Sequence, residues 1–144
     1  IAGDGEQKEF LFEQVKDLNL ESEVEFLGWI SVVQKRKFYK DIDIALVPTM
    51  NDTQPLAILD AFAWGKPVVA SDHISVQQII RQGENGLMTK CGDIQDLVNN
   101  LIILIESPEQ ISRMAQVGHQ DAENEYQFCK VADKLITFLD STYI

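Results

Sequence analysis

A parallel α/β fold, with helices covering both faces of its sheet, is what this sequence predicts, on three observations. Short apolar runs such as Ile44 to Val47 and Val68 to Ala70 lack polar alternation, the pattern of strands buried on both faces. Longer segments carry apolar residues at three-and-four spacing, the pattern of amphipathic helices. The two kinds alternate along the chain, as parallel strands joined by right-handed helical crossovers require.

The elements follow in order. The opening IAGDGE reads as the end of a buried strand and its turn, so the chain is expected to be cut at its N-terminus from a longer protein. Residues 6–18 place Phe10, Leu11, Val15 and Leu18 at helical spacing, with Asn19 as the stop. Val24 to Leu27 reads as a short strand, Gly28 to Ile30 as a turn and Val32 to Tyr39 as a short helix. The strand Ile44 to Val47 ends at Pro48, and a loop from Thr49 to Gln54 leads into a helix from Pro55 to Trp64, closed by Gly65 as its C-terminal cap. Val68 to Ala70 is the next strand, Val76 to Ile80 a brief helix, GENG at Gly83 to Gly86 a turn, and Leu87 with Met88 the last strand. Three helices complete the chain: Ile94 to Ile105, Pro108 to about Glu125 and Val131 to about Leu139. The sum is one Rossmann-like three-layer domain, a parallel sheet flanked by helices, over residues 1–144.

Composition narrows the function. A chain of 144 residues holds one domain with a sizeable core. A formal net charge of -11 repels phosphate backbones, which excludes nucleic acid and anionic membrane as expected partners. The basic cluster Lys35, Arg36, Lys37 and Lys40 reads as a solvated helix face. Cys91 and Cys129 lie far apart without metal or redox spacing, so no zinc site is expected and a reduced, cytoplasmic location fits. No run approaches the roughly 18 apolar residues of a membrane span.

Open α/β sheets bind ligands at the carboxyl ends of their strands, where loops feed helix N-termini. Three loops are so placed: Gly3-Asp4-Gly5, Gly28 to Ser31, and Pro48 to Pro55. In the third, Thr53 or Gln54 is expected to cap the helix and Pro55 to sit in its first turn. Main-chain N–H groups and the positive end of the helix dipole would then face the loop, an anion site without basic side chains. The following helix is otherwise Leu, Ala, Ile and Phe but carries Asp60 in its middle. An unpaired carboxylate in an apolar interior costs several kcal/mol, so Asp60 needs a protein partner or a ligand. With Asp52 on the loop before it, the two carboxylates suit the hydroxyls of a sugar; alternatively Asp60 pairs within the protein and Asp52 helps cap the helix. His73 follows a strand on the same edge of the sheet and is a further candidate.

Taken in order, IAGDG, VEFLGWIS, DIALVPTMNDTQPLAILDAFAWGKPVVASD, GENGLM and GDIQDL resemble the C-terminal, donor-binding domain of the retaining GT-B glycosyltransferases of group 1, glycosyltransferase family 4. The resemblance covers essentially the whole chain, and its most specific element is the pair of acidic residues with seven between them. It implies the donor half of an enzyme that moves a sugar from a nucleotide-diphosphate sugar to an acceptor in glycan or glycoconjugate synthesis. No metal or separate cofactor is implied; the expected partners are the nucleotide sugar and an N-terminal acceptor domain absent from this chain. The catalytic position near the transferred sugar falls on Asp52 and the ribose-holding position on Asp60. The diphosphate falls on the main chain around Pro55 and Leu56, with Thr53 and Gln54 in the same loop, and the base on Gly28 and Trp29. Gly3, Asp4, Gly5 and His73 complete the implied donor site.

Departures from the family pattern are local. Both acidic residues are aspartates where glutamates are usual, and Thr53, Gln54 and Pro55 replace a glycine-rich segment. Residues 73–78 lack the usual Gly-Gly and Pro-Glu pairs, and the basic pair that neutralises the leaving group is not in the chain. Lys66 follows the far end of the helix and is expected to be structural; the last helix is expected to expose Phe138 and Leu139. The alternative is a degenerate, non-catalytic nucleotide-sugar-binding or interaction domain. A phosphoacceptor domain is excluded because Asp41 and Asp43 precede their strand, and a dinucleotide site because Gly3-Asp4-Gly5 lacks a third glycine.

Overall fold

The computed structural model describes residues 1–142. The chain divides into two compact units, Ile1–Asp41 and Ile42–Ile144.

The first unit holds α1 (Lys8–Asp17) and α2 (Val32–Asp41). Asn19 ends α1 as the sequence predicts: at φ 54° it reverses the chain, and Asn19 N–H and Leu20 N–H donate to the carbonyls of Lys16 and Val15 at 3.0 and 2.9 Å. Phe12 on α1 meets Phe26, with ring centroids 4.1 Å apart. The strand expected at Val24 to Leu27 does not form. Leu27 N–H donates to Ile1 C=O and Gly3 N–H to Gly28 C=O, both at 2.8 Å, leaving one isolated parallel bridge between Ala2 and Gly28.

The second unit contains β1 (Ala45–Val47), β2 (Val68–Ser71) and β3 (Gly86–Thr89), all parallel, in the order β1-β2-β3. Ala45 pairs with Val68, and Ala70 with Met88. All four residues of the central β2 are buried, which is why its sequence is an unbroken apolar run ending in a small polar residue. The helices are α3 (Leu56–Ala63), α4 (Ile74–Gln77), α5 (Ile94–Ile105), α6 (Pro108–Glu125) and α7 (Phe128–Thr142). The fold is therefore α/β and Rossmann-like, a parallel sheet flanked by helices.

Packing explains the order. α3 lies against β1 and β2, α5 against β2 and β3, and α6 against both α3 and α5. Val69, Leu87, Leu104 and Met114 form the core between sheet and helices, with Ile44, Leu97, Leu101 and Ile111 packed around them. Gly65, at φ 62°, ends α3 as predicted: Gly65 N–H donates to Phe62 C=O and Lys66 N–H to Ala61 C=O, each at 2.9 Å. Asp93 caps α5 by accepting Asp96 N–H at 3.1 Å, and Pro108 opens α6.

Two helix positions differ from the sequence reading. α4 begins at Ile74 rather than Val76 and is only one turn long, because His73 is its N-cap and residues 78–79 continue as a turn. α7 begins at Phe128, three residues early. Phe138 and Leu139 on α7 are 64% and 43% exposed, as expected of that helix. The turn before β3 is pinned to α6 by Asn85, fully buried: it accepts Arg81 N–H at 2.7 Å and donates to Ile79 C=O at 3.1 Å and to Asp121 Oδ2 at 2.7 Å. Arg81 adds two bonds from Nη2 to the same carboxylate at 3.0 and 2.9 Å.

Candidate functional site

The loop that leaves β1 carries Asp52 and turns directly into α3. Asp52 is half-buried, and its Oδ1 accepts Gln54 N–H at 2.9 Å, an Asx turn that folds the loop on itself. The Asp52 main-chain carbonyl accepts the Ser75 hydroxyl at 2.6 Å, and Ser75 Oγ lies 3.0 Å from His73 Nδ1. Asp52, Ser75 and His73 are thus brought together although 20 residues and more separate the first from the others in sequence. Thr53 and Gln54 are exposed, Pro55 is buried, and Leu56 is 62% exposed at the head of α3.

The expected cap is corrected here. Neither Thr53 nor Gln54 caps α3; the N-cap is Pro55, at φ -71° and ψ 85°, with no side-chain cap bond. The Asp52 carboxylate holds Gln54 N–H within the loop, the helix starts after Pro55, and proline has no side-chain acceptor to offer. The Pro55 carbonyl accepts Ile58 N–H at 2.9 Å, which starts the helix. Leu56 N–H heads α3, where helix geometry provides no acceptor within the helix. Asp60 is the fifth residue of α3 and half-buried, between the fully buried Ile58 and Ala61. Its position partway into solvent removes most of the penalty that a sealed carboxylate would carry.

The candidates of the first unit form their own group. Gly3 and Gly28 meet through the 2.8 Å main-chain bond, so two of the glycines read from separate motifs are neighbours. Asp4 Oδ1 accepts Gly5 N–H at 2.9 Å and its Oδ2 pairs with Lys8 Nζ at 3.1 Å. The Lys8 hydrogen bond first, and the Gly5 amide second, hold the Asp4 carboxyl below its ordinary range. A cavity of about 230 Å³ lies over this turn, with Gly3, Asp4, Gly5, Lys8 and Phe26 among its walls. Trp29 is 84% exposed.

Ser75 is the residue that sequence reasoning missed. It is 8% exposed, and its one available signal was a buried-type position for a hydroxyl just after a strand. Lys66 is structural as read: its ammonium donates to Ile42 C=O at 2.7 Å, tying the end of α3 to the approach to β1. His119 Nδ1 lies 3.3 Å from Phe62 C=O and Nε2 is 3.7 Å from Glu123. Among the described residues there is no group of three or more His, Cys, Asp or Glu side chains that could hold a metal ion, and no helix long and apolar enough to cross a membrane.

The family model for glycosyl transferases group 1 matches residues 1–121. The lipopolysaccharide core biosynthesis glycosyltransferase LpsE of Rhizobium meliloti is 27% identical over 141 residues, which are 98% of this chain and 41% of LpsE. Crystal structures of HepE from Anabaena are 26% identical to the chain and cover 97% of it with 40% of their own length. The HepE complex with UDP superposes at a TM-score of 0.87, and the complex with UDP-glucose at 0.86. The C-terminal domain of the group 1 protein LpcC from Francisella tularensis, 24% identical, shares the fold at a TM-score of 0.76, over 84% of this chain and 63% of its own. The chain spans about two fifths of the length of LpsE and HepE. With most of its length matched by the family model, the chain belongs to the glycosyl transferases of group 1.

Proposed function

We propose that the chain is the donor-binding part of a retaining GT-B glycosyltransferase, taking a nucleotide-diphosphate sugar whose base is uracil. The observation that carries the reading is the likeness to HepE, whose crystals hold UDP and UDP-glucose. The site supports it: a loop at the carboxyl end of a parallel strand delivers Asp52 and then a helix N-terminus, the arrangement that α/β sheets use for phosphate-bearing ligands. In this reading the head of α3 at Leu56 faces the diphosphate, Asp60 accepts hydrogen bonds from the ribose, and Asp52 lies at the transferred sugar. Gly28 and Trp29 are assigned to the base, with Gly3, Asp4 and Gly5 beside it. The acceptor is left to an N-terminal domain of the parent protein, in the cytoplasm, and no metal or separate cofactor is assigned.

Charge decides what the helix terminus must do. A net charge of -11 opposes a diphosphate at long range, so binding rests on short-range donors rather than on steering. Calorimetric titration of the full-length parent with UDP-, GDP- and ADP-glucose tests the reading. UDP-glucose is expected to bind, and more tightly than the other two; no binding of any of them would sink it.

One observation favours a second reading. Asp52 Oδ1 is engaged with Gln54 N–H, so the carboxylate spends one of its acceptor sites on holding its own loop. A binding module without turnover would fit that arrangement, and donor binding by the full-length parent with no transfer and no donor hydrolysis would identify it.

A further inference from the structure

The contact between Ser75 and the Asp52 loop has a direction that the atoms themselves dictate. A carbonyl oxygen only accepts, so at 2.6 Å the Ser75 hydroxyl hydrogen must lie on the line to Asp52 C=O; two oxygens at that distance without a hydrogen between them would repel. With its hydrogen committed, Ser75 Oγ meets His73 Nδ1 at 3.0 Å as an acceptor, and His73 carries its proton on Nδ1. Ser75 N–H also faces Nδ1, but at 3.5 Å, the outer limit of a hydrogen bond, and the shorter contact sets the tautomer. The result is a one-way chain from imidazole to hydroxyl to the carbonyl of Asp52, within a nearly closed setting, since Ser75 is 8% exposed.

We propose that Ser75 is a positioning residue for the sugar-transfer step: oriented by His73, it clamps the main chain of Asp52 and so fixes where the Asp52 carboxylate stands. The inference rests on the donor-binding reading above and deepens it. The Asx turn from Asp52 to Gln54 is internal to the loop, and Thr53 and Gln54 are exposed. The Ser75 hydroxyl reaches it from the start of α4, 23 positions further along the chain. A carboxylate that works at a reacting centre is sensitive to displacement of about 1 Å, whereas nucleotide binding at the head of α3 does not depend on that carbonyl.

The test uses the full-length parent protein with Ser75→Ala, Ser75→Thr and Ser75→Cys. Amide hydrogen exchange at Gln54 reads the loop directly, and UDP affinity and the rate of UDP release from UDP-glucose read the function. In Ser75→Ala, Gln54 exchange is expected to accelerate and UDP release to fall about tenfold or more, with UDP affinity within about twofold of the parent. Ser75→Thr, which keeps the hydroxyl, restores both, and Ser75→Cys, a weaker donor of similar size, falls between and serves if the alanine variant does not accumulate. Unchanged exchange in Ser75→Ala overturns the clamp whatever the protein binds. Loss of UDP affinity in step with melting temperature overturns it as well, because it marks a merely structural role. Accelerated exchange in a protein whose parent form does not engage UDP-glucose overturns the positioning role through failure of the donor-binding reading, and the exchange result tells the two failures apart.

Discussion

Gly118 on α6 lies against the ring of Phe62 on α3: a Cβ built on Gly118 would stand 2.7 Å from Phe62 Cδ1 and 3.0 Å from Cε1. The two helices owe their close approach to the missing methyl. Phe62 is fully buried, so its ring has no space into which to move. Gly118→Ala gains about 1 kcal/mol in helix propensity but overpacks the contact at a typical ~1–3 kcal/mol. The net expectation is a loss of ~1–2 kcal/mol in chemical denaturation. Adding Phe62→Leu should cost less in the Gly118→Ala background than in the parent, and full additivity would disprove the contact as the cause.

Asn85 is a stronger lever than any surface ion pair. Asn85→Ala strands Arg81 N–H and Ile79 C=O and removes one of the bonds to Asp121, whose carboxylate keeps Arg81, for an expected loss of ~2–4 kcal/mol. Glu84→Gln removes a pair whose side chains are 49% and 64% exposed, and should change stability by under ~1 kcal/mol. Urea titration of the two variants side by side checks the order, and an equal effect would contradict the burial argument.

Asp60 separates a ligand role from a structural one. As a ribose acceptor, Asp60→Asn should leave the fold nearly unchanged and weaken UDP binding by ~1–3 kcal/mol. As a member of a structural ion pair, the same change should remove ~3–5 kcal/mol of stability. Thermal denaturation together with UDP titration decides: a large melting loss with binding intact rules out the ribose role.

Asp4 gives a pH-dependent signature. Its carboxyl is held low by Lys8 and the Gly5 amide, so the charged form is the one the fold favours. The sign follows: the contribution is present above the ordinary carboxylate range and is lost as pH falls through the lowered folded value. Lys8→Met should move the Asp4 carboxyl upward in an NMR titration, and salt should do the same in the parent because the pair is exposed. An unmoved titration in Lys8→Met would show that the amide alone sets the value.

The parts of the fold legible in the sequence are those that local chemistry decides. Asn19, Gly65 and Pro108 mark helix ends by capping and turn geometry that involve neighbours only, and each acts as read. The apolar run at β2 names a strand buried on both faces, whereas the equally apolar β1 is the end strand of the three and leaves Leu46 45% exposed. Val24 to Leu27 has strand composition but forms no ladder, because a ladder belongs to two segments and the pairing here is the single bridge of Ala2 with Gly28. The site divides along the same line. Asp52, Pro55 and Asp60 stand out as candidates by spacing, but the cap was misplaced: α3 starts at Leu56 with Pro55 as its N-cap, a residue with no side-chain acceptor. Ser75 was invisible for a related reason: its meaning lies in a bond to a carbonyl 23 positions away, and no local pattern encodes it.

α7 closes the second unit without sharing in its interior. Ala132 alone is half-buried among residues 128–141, while Phe128 is 90% and Leu135 57% exposed. A helix so little engaged has a small free energy of separate opening, far below that of β2, every residue of which is enclosed. A protease should therefore find residues 128–141 before any part of the sheet, and clip them at a rate that barely responds to substitutions such as Asn85→Ala. The chain has two clocks: a fast one set by α7 and a slow one set by the core that Val69, Leu87, Leu104 and Met114 hold together.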